Sequence, residues 1–188
     1  MNERKKTKKV LVVVDMQNDF INGSLGNDMT KKVLPKVVNK LKETGKEYDY
    51  IFFTRDVHYD DYMETLEGQK LPVPHCISKT EGAKIPKELW DVVEELRKEG
   101  KFVSVVNKHT FGSKNLMEEL YKIKGKEFIE FCGVCTDICV VSNAIGARMS
   151  FPNTIIKVDA ECCAGTTIGG HYSALKIMNN CHIDISNN

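Results

Sequence analysis

The stretch FCGVCTDICVV, residues 131–141, reads as a strand that stops at a glycine and turns straight into a helix. The apolar run ends on Gly133, a cysteine-bearing turn follows, and Thr136-Asp137 are residue types that start helices. The pattern therefore predicts Cys139 in the first helical turn. Backbone N–H groups there lack intrahelical partners and carry partial positive charge. A thiol so placed is expected to ionise more readily than a free cysteine, whose pKa is about 8.5. The competing reading is a buried cysteine that only packs.

Outward from this elbow, the alternation of strand and helix recurs. Val10 to Val14 is a continuous apolar run, the pattern of a strand buried on both faces, and it ends in Asp15. Tyr50 to Phe53 is a second strand, followed by Thr54-Arg55-Asp56-Val57-His58; Phe102 to Val106 is a third, ended by Asn107-Lys108. Glu127 to Phe131, Thr154 to Val158 and Cys181 to Ile185 complete six. Helical spacing joins Val33, Val37, Val38 and Leu41, with Pro35 near the start, and joins Leu89, Val92, Val93 and Leu96. Further helices are expected over Lys114 to Tyr121, Cys139 to Met149 and Ser173 to Met178. From Tyr59 to Pro86 no period holds, and a loop of that length inside a compact domain is expected to be functional. The order predicts a three-layer α/β/α, Rossmann-like fold with an open, mainly parallel six-stranded sheet, and one domain over residues 1–188.

Composition narrows the partners. A formal charge of +1 offers no global field for nucleic acid or an anionic membrane, so a small-molecule substrate is expected. The basic run Arg4, Lys5, Lys6, Lys8 and Lys9 reads as a solvated terminus. Seven cysteines scattered through apolar segments argue against a disulfide framework and for a reducing cytoplasm, with Cys162, Cys163 and Cys181 read as small core residues. No signal peptide or membrane span is visible, since Val10 to Val14 is far shorter than the roughly 20 residues a span needs. The chain ends soon after its sixth strand with no cover for a sheet edge, from which a homo-oligomer is expected.

In open α/β sheets ligands sit beyond the carboxyl ends of the strands, where strand order reverses. That rule selects Asp15, Asp56 with His58, Lys108, and the elbow. A thiol attacking a carbonyl needs a base, a positive neighbour and donors for the oxyanion. Asp15 is the candidate base, Lys108 the positive charge, and the N–H groups of Cys135 and Cys139 the candidate oxyanion hole. Each also has a structural reading, as helix cap, surface charge or turn. Asp56 and His58, two residues apart, point to one side of an extended segment, and Pro72-Val73-Pro74-His75 sets a second histidine on a stiff backbone, with Glu64 and Glu67 between. Two histidines with carboxylates suit a divalent metal, zinc, iron or manganese. An iron–sulfur or zinc cluster on Cys132, Cys135 and Cys139 is disfavoured, because a fourth ligand is missing and Cys132 should point into the sheet.

With these residues assembled, the chain resembles the isochorismatase-like cysteine hydrolases, in particular their nicotinamidase branch. The resemblance rests on VVVDMQNDF (12–20), FTRDVH (53–58), PVPHC (72–76), the lysine of VNKHTF, GVCTDICV (133–140) and HYSALKIM (171–178). It implies a catalytic triad of Asp15, Lys108 and Cys139, and a cis peptide between Val134 and Cys135. It also implies a divalent metal, zinc before iron or manganese, on Asp56, His58, His75 and Glu67, with Glu64 as the alternative carboxylate. Phe20, Phe111 and Val134 are the candidate substrate contacts, the two phenylalanines as aromatic walls. The implied reaction is hydrolysis of a small carboxamide, nicotinamide or a relative, through a thioester. The alternatives are a metal-independent hydrolase of carbamoyl or other linear amides, and a non-catalytic binding module on the same fold. One departure is visible: nicotinamidases usually carry an aromatic residue before Pro-Pro-His, where this chain has Leu71-Pro72-Val73-Pro74-His75.

Overall fold

The computed structural model describes residues 7–187, so Arg4, Lys5 and Lys6 of the basic run lie outside the described residues. Its strands are β1 (Lys8–Val14), β2 (Tyr50–Asp56), β3 (Phe102–Lys108), β4 (Lys126–Val134), β5 (Ile155–Ala164) and β6 (Asp184–Ser186). They form one sheet in the order β3-β2-β1-β4-β5-β6, with every neighbouring pair parallel. Val10 to Val14 are wholly buried because β1 lies at the centre, covered on both faces.

The helices are α1 (Asn18–Ile21), α2 (Asp28–Thr44), α3 (Leu66–Lys70), α4 (Lys87–Lys98), α5 (Lys114–Lys122), α6 (Val141–Ser150) and α7 (Ile168–Asn180). α2 packs on α4, while α6 touches both α5 and α7. Right-handed crossovers wind outward from β1 to β3 and then from β4 to β6, which puts these two groups on opposite faces. Apolar stripes explain the packing: Val33, Val37 and Leu41 of α2 and Leu89, Val93 and Leu96 of α4 are all buried. α2 begins earlier than its stripe suggests. Asn27 caps it, accepting from Met29 N–H (2.8 Å) and Thr30 N–H (3.0 Å), while the Thr30 hydroxyl accepts from Asn27 N–H (2.9 Å). Pro35 consequently lies inside the helix rather than near its start.

Other segments differ from the sequence expectation too: α7 begins earlier than Ser173, and the last strand begins only at Asp184, after Cys181 and His182. β5 runs to Ala164, well past Val158, across a register irregularity opposite Phe131 to Gly133. Asp159 looks like a strand breaker, yet it is buried and held by Lys40 Nζ at 2.8 Å; Lys40 also reaches Glu130 at 3.2 Å. Cys181, expected in the core, is exposed just after the end of α7, while Cys162 and Cys163 are buried in β5.

Candidate active site

Strand order reverses between β1 and β4, and the chemistry gathers there. Lys108 ends β3, Asp56 ends β2, Asp15 follows β1 and Cys135 follows β4, so adjacent strands deliver them side by side, with Asp56 in register with Lys108. Lys108 Nζ lies 2.7 Å from Asp15 Oδ2, 3.2 Å from Asp56 Oδ1 and 3.5 Å from Cys139 Sγ. All four side chains are buried. Asp15 Oδ2 has no well-oriented hydrogen bond, so its contact with Lys108 is an ion pair. The other oxygen accepts from the Thr54 hydroxyl at 2.7 Å. Asp15 adopts a left-handed backbone (φ 47°), a conformation uncommon outside glycine and characteristic of functional positions.

Burial and the neighbouring charges set the protonation pattern. Burial pushes the Asp15 carboxyl above its ordinary range, against the opposing pull of Lys108. Burial, reinforced by Asp15, holds the Cys139 thiol well above the value of a free cysteine, and Lys108 only partly offsets it. The expectation of an acidic thiol is therefore corrected. A helix terminus favours a thiolate only where solvent also reaches it, and here dry surroundings and a carboxylate prevail. Cys139 rests as a thiol beside a carboxylate made more basic by burial. Lys108 stays charged: burial would lower its pKa, but Asp15 and Asp56 raise it above the ordinary lysine value.

The elbow also differs from a capped α-helix. Thr136–Val140 is a π-helical turn, closed by Val140 N–H donating to Cys135 O at 3.0 Å, and α6 begins only at Val141. Thr136 and Asp137 do not cap it. Thr136 Oγ1 meets His171 Nδ1 at 2.8 Å, and Asp137 accepts from Thr166 N–H at 2.9 Å, which ties the turn to the start of α7. The Val134–Cys135 peptide is cis. The Cys135 N–H has no acceptor among the described residues. Asn143 Nδ2 donates to the Cys139 carbonyl at 2.8 Å. Gly133 (φ 114°) is required by space as well as conformation, since a Cβ there would lie 2.2 Å from the Val14 carbonyl oxygen.

The loop after β2 contains order that periodicity did not reveal. It makes a short 3₁₀ turn (Tyr62–Glu64) and α3, then returns to pair with its own beginning. His58 N–H donates to Cys76 O (3.0 Å), and Ser78 N–H to His58 O (2.8 Å). This return sets His75 beside His58. Asp56, His58, Glu67 and His75 each offer one ligand atom, all within 4.8 Å of one another. Glu64 is not part of the group. His58 Nε2 lies 2.9 Å and His75 Nε2 3.5 Å from Asp56 Oδ2. His75 Nδ1 faces the Val73 carbonyl at 2.9 Å; a carbonyl only accepts, so Nδ1 carries a proton, and Nε2, which faces Asp56, is the atom that would bind a metal on losing its own. Burial alone would raise Asp56, but hydrogen bonds from His58 and His75 and the Lys108 charge hold it well below the usual carboxylate range. Two imidazoles and two carboxylates at this spacing fit a divalent transition metal.

A cavity of about 390 Å³ joins the two groups, with Phe20, Asp56, Glu67, His75, Phe111 and Cys139 in its lining. Val134 does not line it; its side chain is wholly buried in the sheet. Sequence reasoning left two supporting residues without a role. Thr54 holds Asp15, and its signal was a polar residue in an apolar strand. Gln17 clamps Asp56, donating to its carbonyl (2.8 Å) and accepting from its N–H (2.7 Å).

The family model described as the isochorismatase domain matches residues 9–187. A nicotinamidase of Schizosaccharomyces pombe is 27% identical, over 93% of this chain and 91% of its own. The crystal structure of a Bacillus subtilis nicotinamidase superposes with a TM-score of 0.81 at 27% identity, covering 96% of this chain and all (100%) of that one. A Pyrococcus horikoshii pyrazinamidase, crystallised in complex with zinc, shares the fold at 22% identity with a TM-score of 0.74, over 96% of this chain and 99% of its own.

Proposed function

The chain belongs to the isochorismatase domain family, and from that premise we propose that it is a cysteine amidohydrolase cleaving nicotinamide or a closely related small carboxamide to the acid and ammonia. The observation that carries this reading is the contact of Lys108 with both Asp15 (2.7 Å) and Cys139 (3.5 Å), where Cys139 lines a cavity with aromatic walls.

In the proposed sequence Asp15 takes the Cys139 thiol proton as sulfur attacks the carboxamide carbon. The N–H groups of Cys135 and Cys139 receive the oxyanion, and Lys108 keeps the developing thiolate and the Asp15 carboxylate in one field. Collapse breaks the C–N bond, and Asp15 returns the proton to the leaving nitrogen, which departs as ammonia. A thioester to Cys139 remains. Water attacks it, again giving its proton to Asp15; the acid leaves and Cys139 recovers its proton from Asp15. Phe20 and Phe111 are the proposed walls for the ring.

Asp56, His58, Glu67 and His75 would hold a divalent cation, zinc by preference and iron or manganese as alternatives, which would supply Lewis acidity to the pocket. The same ligand set favours this reading over a metal-independent amidase. We further place the enzyme in the cytoplasm on the ground of seven unpaired cysteines, and expect one catalytic domain that self-associates. No described helix is long and apolar enough to cross a membrane. The test is ammonia release from nicotinamide: the wild-type chain releases it and Cys139→Ala does not. Undiminished steady-state turnover by Cys139→Ala would sink the covalent mechanism.

A further inference from the structure

On the side of the metal-ligand loop the catalytic cavity borders another. Four of its lining residues, Glu67, Leu71, Phe111 and Ile138, also line a second cavity of about 810 Å³. We propose that the substrate is a carboxamide whose ring bears a neutral apolar substituent, preferably aromatic, and that this second cavity holds the substituent while Cys139 holds the acyl group. The proposal rests on the amidohydrolase reading and specifies the substrate class for the same site.

Three observations carry it. First, the two cavities border each other at Phe111 and Leu71, both half-exposed, so a group extending past Leu71 from a ring between Phe20 and Phe111 reaches the second cavity. Second, the walls beyond are apolar and aromatic: Val57, Tyr59, Tyr62 and Leu66. Tyr59 and the neighbouring His109, ring centroids 5.8 Å apart at 31°, both line this cavity and give aromatic surface for a flat group. Leu66 is 72% exposed and Phe111 48%, with Met63 and Leu71 nearby also exposed. Large side chains of this kind gathered at the mouth of a catalytic cavity mark a binding surface, whereas scattered ones need no explanation. Third, the charges around the cavity have both signs, Asp61 and Glu67 with Lys70, so neither an anionic nor a cationic substituent is selected.

The experiment is a substrate series: nicotinamide and its derivatives bearing methyl, propyl or phenyl at each free ring carbon in turn, assayed for ammonia to give kcat/KM. At one ring position kcat/KM should rise about fourfold for each methylene buried, the equivalent of about 0.8 kcal/mol. The companion variant is Leu66→Asp, at an exposed position in the first turn of α3, where a carboxylate suits the helix and leaves the fold intact. It should lower the phenyl-to-hydrogen ratio of kcat/KM by tenfold or more. A flat or falling series at every ring position while nicotinamide is cleaved overturns the proposal, as does a ratio that Leu66→Asp leaves unchanged. A dimer lost in Leu66→Asp together with a flat series assigns this face to a second copy of the chain and likewise overturns it. Failure to cleave any amide overturns the amidohydrolase reading, and this one with it.

Discussion

Lys108 and Asp56 pair at 3.2 Å across adjacent strands, and through that contact the nucleophile's surroundings and the metal-ligand group share a carboxylate. One Asp56 oxygen faces the ammonium that also holds Asp15, and the other faces both histidines. The two halves of the site are therefore electrostatically one unit.

Replacing the shared cation tests that unity. Lys108→Met leaves two buried carboxylates, Asp15 and Asp56, without their ammonium. Breaking a buried pair from one side costs about 3–5 kcal/mol, so urea unfolding should show a midpoint lowered by that loss divided by an unchanged slope. Ammonia release should fall at least about 10³-fold, as expected when one member of a coupled triad is removed. A stable Lys108→Met protein would show that the pair is not the buried contact described.

The pH profile reports on Asp15. The proposed base acts as a carboxylate, and its folded pKa lies above the ordinary value of about 3.9 because it is buried. Protonation in acid removes the base, so the acidic limb of kcat/KM should have its midpoint above about 3.9. Asp15→Asn should abolish turnover at all pH values. An acidic limb at or below the free-aspartate value would remove Asp15 from the role.

Metal content separates the ligand group from a merely structural cluster. Protein purified without chelator should carry close to one equivalent of a divalent ion by elemental analysis, and His58→Ala or His75→Ala should each weaken its retention by about 10–100-fold or more. A full equivalent retained by the double variant would place the ion elsewhere.

The buried pair of Lys40 and Asp159 predicts an acid-dependent component of stability. Burial alone would raise the Asp159 pKa, but the Lys40 hydrogen bond more than offsets this and leaves it lowered. A carboxyl depressed on folding contributes stability above its unfolded value of about 3.9, and the contribution is lost as pH falls through the folded value. Asp159→Asn should therefore cost about 1–3 kcal/mol at pH 7, and the difference from wild type should shrink progressively below pH about 4. A constant difference down to low pH would mean that the loss is one of packing.

The sheet and the strand-end residues were legible because both follow from burial. A central parallel strand must be apolar on both faces, as Val10 to Val14 are, and the polar residues that end such runs must then collect at one edge. The loop after β2 was opaque. α3 is too short to show a period, and its order comes from distant contacts, such as Cys76 N–H donating to Asp19 Oδ2 at 2.7 Å. β5 was cut short because Asp159 and Glu161 break an apolar pattern, and only the position of Lys40 in three dimensions explains the first of them. The thiol was misjudged for a related reason. A helix-terminus argument is local, while the burial of Cys139 and its contact with Asp15 are products of the whole fold. Glu67 over Glu64 likewise depended on which face of the returning loop met the histidines.

Gly133 has a further consequence. Because it admits the Val14 carbonyl where a Cβ would stand, β4 stays in register with β1 up to Val14–Gly133, and the Asp15-to-elbow separation is set by interstrand hydrogen bonding, near 4.8 Å per strand. The geometry of the reacting groups is thus a property of main-chain spacing and owes little to the identities of side chains in the outer helices. Surface drift in α4 or α5 leaves it untouched, whereas α7 reaches the elbow through His171. Large sequence change is then compatible with an unchanged reaction centre, and one added methyl group at Gly133 would be more disruptive than many replacements on the helical layers.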